Sequence, residues 1–309
     1  MQRGVMLAAI VAGLGSVPLP AAPAAPTDGA TMGWAALTGR PRPVGGIRIS
    51  YGADPLQVGD LWLPRGRKGV AHPVVLMIHG GCWQSDIADR TLMDWAAADL
   101  AKRGIAVWNI DYRGVDRAGG GYPGTFTDVA QAADMLRVLG PRYGLRTDRI
   151  VAVGHSAGGH LALWLAGRER LPASSPLRTG DPIALHAVIA LGALPDLAVA
   201  QALPGNSCGV SGVPRLVGLP GGDRPNVLAD TSVPNLLPLA TEQTLVTGVR
   251  DRIAPVTLAS AYAVRVRTAG GTVGHIAIPE AGHVELVAPG TNAWRIELGL
   301  IRAALGLPK

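Results

Sequence analysis

The sequence predicts an α/β protein: a mainly parallel, twisted sheet with helices on both faces and a short cap inserted late in the chain. Three observations carry this. From residue 73 onward, short apolar runs rich in β-branched residues alternate with stretches of helical spacing. Those runs are apolar throughout, as strands covered on both faces require. The chain of 309 residues is 48% hydrophobic, enough for one substantial core.

Residues 26–44 are rich in proline, glycine and alanine and read as a loose linker ahead of a domain over 45–309. Residues 47–51 alternate apolar and polar, and 61–63 resume after Gly59-Asp60, which predicts an antiparallel pair at one edge of the sheet. A buried-type strand over 73–78 runs directly into His79-Gly80-Gly81-Cys82-Trp83. Helical spacing through Leu92, Trp95, Ala98 and Leu100 covers 90–103 and ends at Gly104. A strand at 105–112, a glycine-rich loop at 113–124 and a helix at 125–138 follow, and Gly140-Pro141 is expected to stop that helix. Further strands are expected at 150–153, 184–193, 244–247 and 275–278, and further helices from Ala157, over 255–268 and over 292–305. Prolines and glycines break the rhythm between 195 and 238; an insertion of that length over the carboxyl edge of the sheet is expected to cap and shape the pocket.

The chemistry centres on Gly154-His155-Ser156-Ala157-Gly158, a G-x-S-x-G pattern with a strand before it and a small-residue helix after it. A serine forced into such a turn has its hydroxyl pushed out at the carboxyl end of the sheet, and the crowded backbone excludes bulk two residues to either side. That hydroxyl is a poor nucleophile until a base takes its proton, and histidine suits because its pKa lies near neutrality. His283, after the last strand, is the candidate base, and Asp251, between a strand and a helix, is the carboxylate that would orient it. Asp196 and Glu280 are fallback acids. The developing oxyanion needs fixed N–H donors; Ala157 directly after the serine is one, and Gly81 and Cys82 in the paired-glycine loop are the others. Trp83 and His155 are candidate substrate contacts, although Trp83 has an equal claim to be packing and the His155 side chain should diverge from the hydroxyl. His160, His72, His186 and His275 read as structural.

The formal charge of +6 comes from 25 Arg and 3 Lys scattered along the chain. Nucleic-acid binding would want a clustered basic stripe with motif support, and neither is visible. Arg3, the apolar run 5–14 and Ala22-Pro23-Ala24 have the form of a secretory signal peptide over 1–25, so a secreted or periplasmic location is expected, with no stable membrane anchor. Cys82 and Cys208 leave a bridge open, with two free thiols as the default expectation.

Taken together, His79-Gly80-Gly81-Cys82-Trp83, Gly154-His155-Ser156-Ala157-Gly158-Gly159-His160, Asp251 ahead of Arg252-Ile253-Ala254-Pro255-Val256, and Gly282-His283 resemble the α/β-hydrolase superfamily over residues 45–309. Within it the chain is most similar to the small esterase and kynurenine-formamidase-like group, a likeness shared by Asp111-Tyr112-Arg113 and the loop 119–124. Cys82 departs from the third glycine of many lipase-type relatives, but a backbone donor survives that change. The resemblance implies acyl transfer through Ser156, His283 and Asp251 without metal or organic cofactor. It implies a small-molecule ester as substrate first, an aryl formamide second and a peptide third, with a catalytically silent binding protein as the rival of another class. Nothing in the residues speaks to oligomeric state.

Overall fold

The structure, a computed structural model, describes residues 1, 30–65, 70–205 and 208–308, so the expected signal peptide lies outside the described residues apart from Met1. Residues Thr31–Lys309 form one compact unit. Among the described residues its strands are β1 (Ile47–Ser50), β2 (Val58–Trp62), β3 (His72–Ile78), β4 (Ala106–Ile110), β5 (Leu145–His155), β6 (Ala187–Leu191), β7 (Glu242–Gly248) and β8 (Gly274–Ile278). They lie side by side in the order β1-β2-β4-β3-β5-β6-β7-β8. Only the β1–β2 and β2–β4 pairings are antiparallel, which places the expected antiparallel pair at one edge. The remaining pairings are parallel. A parallel pair needs a crossover, and here helices supply it.

The helices are α1 (Trp34–Thr38), α2 (Asp94–Lys102), α3 (Gly124–Asp134), α4 (Leu136–Tyr143), α5 (Ala157–Ala166), α6 (Leu197–Ala202), α7 (Gly212–Val217), α8 (Val256–Thr268) and α9 (Asn292–Ala304). Strands β3 and β4, and β5 from Ile150 onward, are buried on both faces because alternate residues feed two separate cores. Val74, Leu76 and Ile78 enter one, with α3, α5 and α8; Val75 and Met77 enter the other, with α2 and α9. The unbroken apolar runs seen in the sequence are the consequence.

Three expectations need correction. The helix predicted to stop at Gly140-Pro141 breaks instead at Met135 and resumes as α4, which carries Pro141 inside it and ends at Gly144, a left-handed cap with φ 64°. Proline removes one backbone donor and still tolerates helical φ, so a short helix can pass through it. The described part of the linker 26–44 is not loose: α1 buries Leu37 completely in the α2/α9 core. The insertion 195–238 carries α6, α7 and a 3-10 turn at Val233–Leu236, but none of its described residues lines the cleft at Ser156. It packs on α5, where the His160 Nε2–H donates to the Thr231 carbonyl (2.8 Å) and the Trp164 indole N–H to the Asp230 carbonyl (2.8 Å).

Candidate active site

A parallel sheet presents its strand carboxyl ends along one edge, and there the loops after β3, β5, β7 and β8 bring His79–Cys82, Ser156, Asp251 and His283 together. Ser156 stands between β5 and α5 with φ 55° and ψ −121°. Its flanking glycines are needed for space. A Cβ on Gly154 would come 2.2 Å from the Gly158 carbonyl oxygen, and one on Gly158 would come 2.3 Å from the carbonyl oxygens of Ile78 and His79. Gly80 serves the other side, because a Cβ there would lie 2.9 Å from the Ser156 Cβ. Only a glycine lets the loop after β3 lie directly against the nucleophile turn.

Among the described residues, the non-glycine positions with positive φ are Cys82 (54°), Trp83 (58°) and Ser156 (55°), and Gly81 precedes them at 103°. Backbone strain of this kind persists only where the surroundings hold it, and it gathers at working sites. The surroundings of the first loop are visible. His79 faces acceptors at both ring nitrogens, the Gly80 carbonyl at 2.7 Å and Asp111 Oδ1 at 3.0 Å, and stacks on Tyr112 with ring centroids 4.3 Å apart. Arg90 binds the second Asp111 oxygen at 3.0 Å, and the Tyr112 hydroxyl donates to the His79 carbonyl at 3.1 Å. Burial alone would push the Asp111 carboxyl up, but His79 and Arg90 outweigh it and hold it below its ordinary range. Asp111-Tyr112 therefore braces His79-Gly80-Gly81.

Asp251 and His283 meet as expected from the sequence. His283 Nδ1 lies 2.6 Å from Asp251 Oδ2, and both side chains are buried. The other Asp251 oxygen accepts the amides of Ile253 (2.8 Å) and Ala254 (2.9 Å), so the carboxylate is fixed before it touches the ring. With Nδ1 engaged, Nε2 is the nitrogen left for chemistry. His283 and Ser156 line one cleft of about 360 Å³ together with Gly81, Cys82, His155, Trp34, Ile87, Leu92 and Ile253. Ala157 is the first residue of α5, where backbone N–H groups lack helical acceptors and the helix dipole favours negative charge.

Asp196 caps α6 and pairs with Arg265 at 3.0 Å, and Glu280 is exposed, so neither fallback acid reaches the histidine. Trp83 does not contact the cleft: it is fully buried, and its indole N–H donates to His160 Nδ1 at 3.3 Å. His155 lines the cleft and also braces the loop that carries His283, its Nε2–H donating to the His283 carbonyl at 3.1 Å. Burial first, and then His283 nearby, hold its pKa well below the usual histidine value, so it stays neutral. Cys82 and Cys208 form a disulfide, against the default expectation of free thiols, because Cys208 of the insertion comes within 5.2 Å, Cα to Cα, of Cys82 in the loop after β3.

Two residues escaped sequence reasoning. Trp34 of α1 packs edge-on against the rings of His155 (5.8 Å, 80°) and His283 (6.2 Å, 85°). Glu285 accepts the Met32 amide and the Gly282 amide (3.1 Å), linking residues 31–38 to the loop that carries His283. The Trp34–His283 and Met32–Glu285 contacts join segments some 250 positions apart, which leave no local signal in the chain.

The strand order, the serine turn between β5 and α5, and the buried acid–histidine pair define an α/β-hydrolase. The solved esterase B of Lactobacillus rhamnosus (strain HN001) has a similar fold, with a TM-score of 0.71 at 22% identity over 83% of each chain. Residues 59–226 match the BD-FAE family model, and the chain belongs to that family. It is 29% identical over 245 residues to esterase LipC of Mycobacterium tuberculosis, covering 76% of this chain and 59% of LipC. It is 34% identical over 117 residues to a probable isoprenylcysteine alpha-carbonyl methylesterase of Oryza sativa subsp. japonica, covering 37% of this chain and 26% of that protein.

Proposed function

We propose that this protein is a serine hydrolase that cleaves small carboxylic esters through an acyl-enzyme. The observation that carries this reading is the buried Asp251–His283 pair at 2.6 Å, opening onto the cleft that Ser156 also lines. Ser156 Oγ attacks the acyl carbon while His283 Nε2 takes its proton, and Asp251 keeps the proton on Nδ1 and steadies the imidazolium. The carbonyl oxygen, now negative, is held by the amides of Cys82 and Ala157, with Gly81 giving the loop its turn. Collapse of the tetrahedral intermediate expels the alcohol, which receives the proton from His283. Water then attacks the acyl-enzyme by the same route in reverse and frees the acid. The relatives above are named as esterases, which favours an ester over the formamide that the sequence motifs also allow.

Turnover of p-nitrophenyl acetate tests the reading. Hydrolysis is expected in the wild type and a loss of at least 10³-fold in Ser156→Ala, in line with what removing a triad nucleophile costs. Undiminished hydrolysis by the variant would remove Ser156 from the mechanism. We further propose export through the segment 1–25, a location supported by the Cys82–Cys208 disulfide, which persists in oxidising compartments. Sequencing the amino terminus of secreted protein should give a start near residue 25, and a start at Met1 would refute cleavage.

A further inference from the structure

We propose that Trp34, on the segment that precedes the sheet, sets which alcohol the enzyme accepts; this rests on the ester-hydrolase reading above. The His283 ring fixes the direction. Its Nδ1 is taken by Asp251, so Nε2 alone can return a proton to the departing oxygen, and the leaving alcohol must therefore sit beside that ring. The carbonyl oxygen points the other way, toward Cys82 and Ala157. Trp34 is edge-on to His283 at 6.2 Å and lines the same cleft as Ser156, so the indole forms a wall on the alcohol side.

A wall selects only if it cannot swing away, and this one is pinned at several points. Leu37, three residues on, is completely buried in the core beneath α1. Arg40 donates to the Pro289 carbonyl (2.8 Å), the Trp95 indole to the Pro41 carbonyl (3.2 Å), and Arg42 to the Thr91 carbonyl (2.9 Å) and Asp94 (3.0 Å). At the other end the Met32 amide is held by Glu285, two residues from His283. The segment thus spans the mouth between the histidine loop and the loop leading to α2, with Trp34 facing inward. Trp34 is half-buried and its indole N–H has no hydrogen-bond partner among the described residues, so it acts as a steric boundary; even one methylene of fit in an apolar pocket changes discrimination by about 10–200-fold.

The test is a two-way ester panel on the full mature protein. One series holds the acyl group at acetate and enlarges the alcohol from ethyl to 1-naphthyl; the other holds the alcohol and lengthens the acyl chain. Trp34→Ala is expected to raise the naphthyl-to-ethyl ratio of kcat/KM at least tenfold, with the order of preference in the acyl series kept. Trp34→Phe, which preserves an aromatic face on α1, should shift the ratio in the same direction by less and guards against misfolding of the alanine variant. Phosphonate labelling of Ser156 in each variant reports whether the triad is intact. Labelled variants whose alcohol ratio stays within twofold of wild type, or whose acyl order changes instead, overturn the inference while leaving the hydrolase reading in place. A wild type that neither hydrolyses the panel nor takes the label overturns both.

Discussion

Cys82, Trp83 and Ser156 hold left-handed backbone that costs side-chain-bearing residues about 1–3 kcal/mol each. Two of the three touch the cleft, and the third anchors the loop through His160. Fixing donors and nucleophile in place before substrate arrives is what oxyanion stabilisation requires, since donors that must reorganise lose much of their effect. The same logic governs the acid. Asp251 Oδ1 is occupied by two amides, so an amide side chain at that position keeps its place but offers the wrong group to Nδ1. Asp251→Asn is therefore expected to lower kcat by about 10³–10⁴-fold with little change in KM or in melting temperature. A loss below tenfold, measured on folded protein, would mean that another carboxylate orients His283. These residues were legible because each follows a strand whose apolar pattern is plain. Trp83 was read less well because its role depends on His160 of α5, a neighbour that one-dimensional spacing does not reveal.

Strands and helices were read more accurately in type than in extent, and the failures fall where tertiary contact decides. The segment 31–42 looks like a linker by composition, yet one buried leucine and a set of bonds to distant carbonyls order it. The insertion 195–238 was expected over the pocket; its described residues pack on α5, and the Cys82–Cys208 bridge joins it to the loop after β3. That bridge spans 126 positions and ties the proposed oxyanion loop to the insertion. Closing a loop of this size stabilises by roughly 2–5 kcal/mol in the chain-entropy account. Cys208→Ser is expected to lower the melting temperature by about 5–15 °C. It should also slow turnover, because Cys82 loses the tether on its strained backbone. An unchanged melting curve and rate would show that the loop is held by His79 and Trp83 alone. Helix α9 carries a different liability: Glu297 is completely buried, neither carboxyl oxygen has a partner among the described residues, and burial pushes its pKa well up. The folded state then keeps a proton that the unfolded chain releases above its ordinary carboxylate pKa of about 4.3. Stability should fall as pH rises from there, with a slope of at most about 1.4 kcal/mol per pH unit. Glu297→Gln removes that dependence, so its advantage in melting temperature over wild type should grow between pH 5 and pH 8. A constant difference would place a cation or water against the carboxylate.

At the scale of the molecule, a single sheet gathers side chains from four loops at one edge, and the alternation of strand and helix made that arrangement readable from the chain alone. What the chain did not disclose is how the amino-terminal segment closes the cleft, because nothing local marks residues that meet across the whole fold. Ser156, His283 and Asp251 stand in the chain order serine, acid, histidine, each after a parallel strand, and their convergence is the basis of the proposed chemistry. The most direct test is to treat wild type and Ser156→Ala with an alkyl phosphonate and locate the adduct by peptide mass spectrometry. One adduct per chain, on the peptide containing Ser156 and missing from the variant, is the expected result; an adduct on another residue, or equal labelling of the variant, would contradict it.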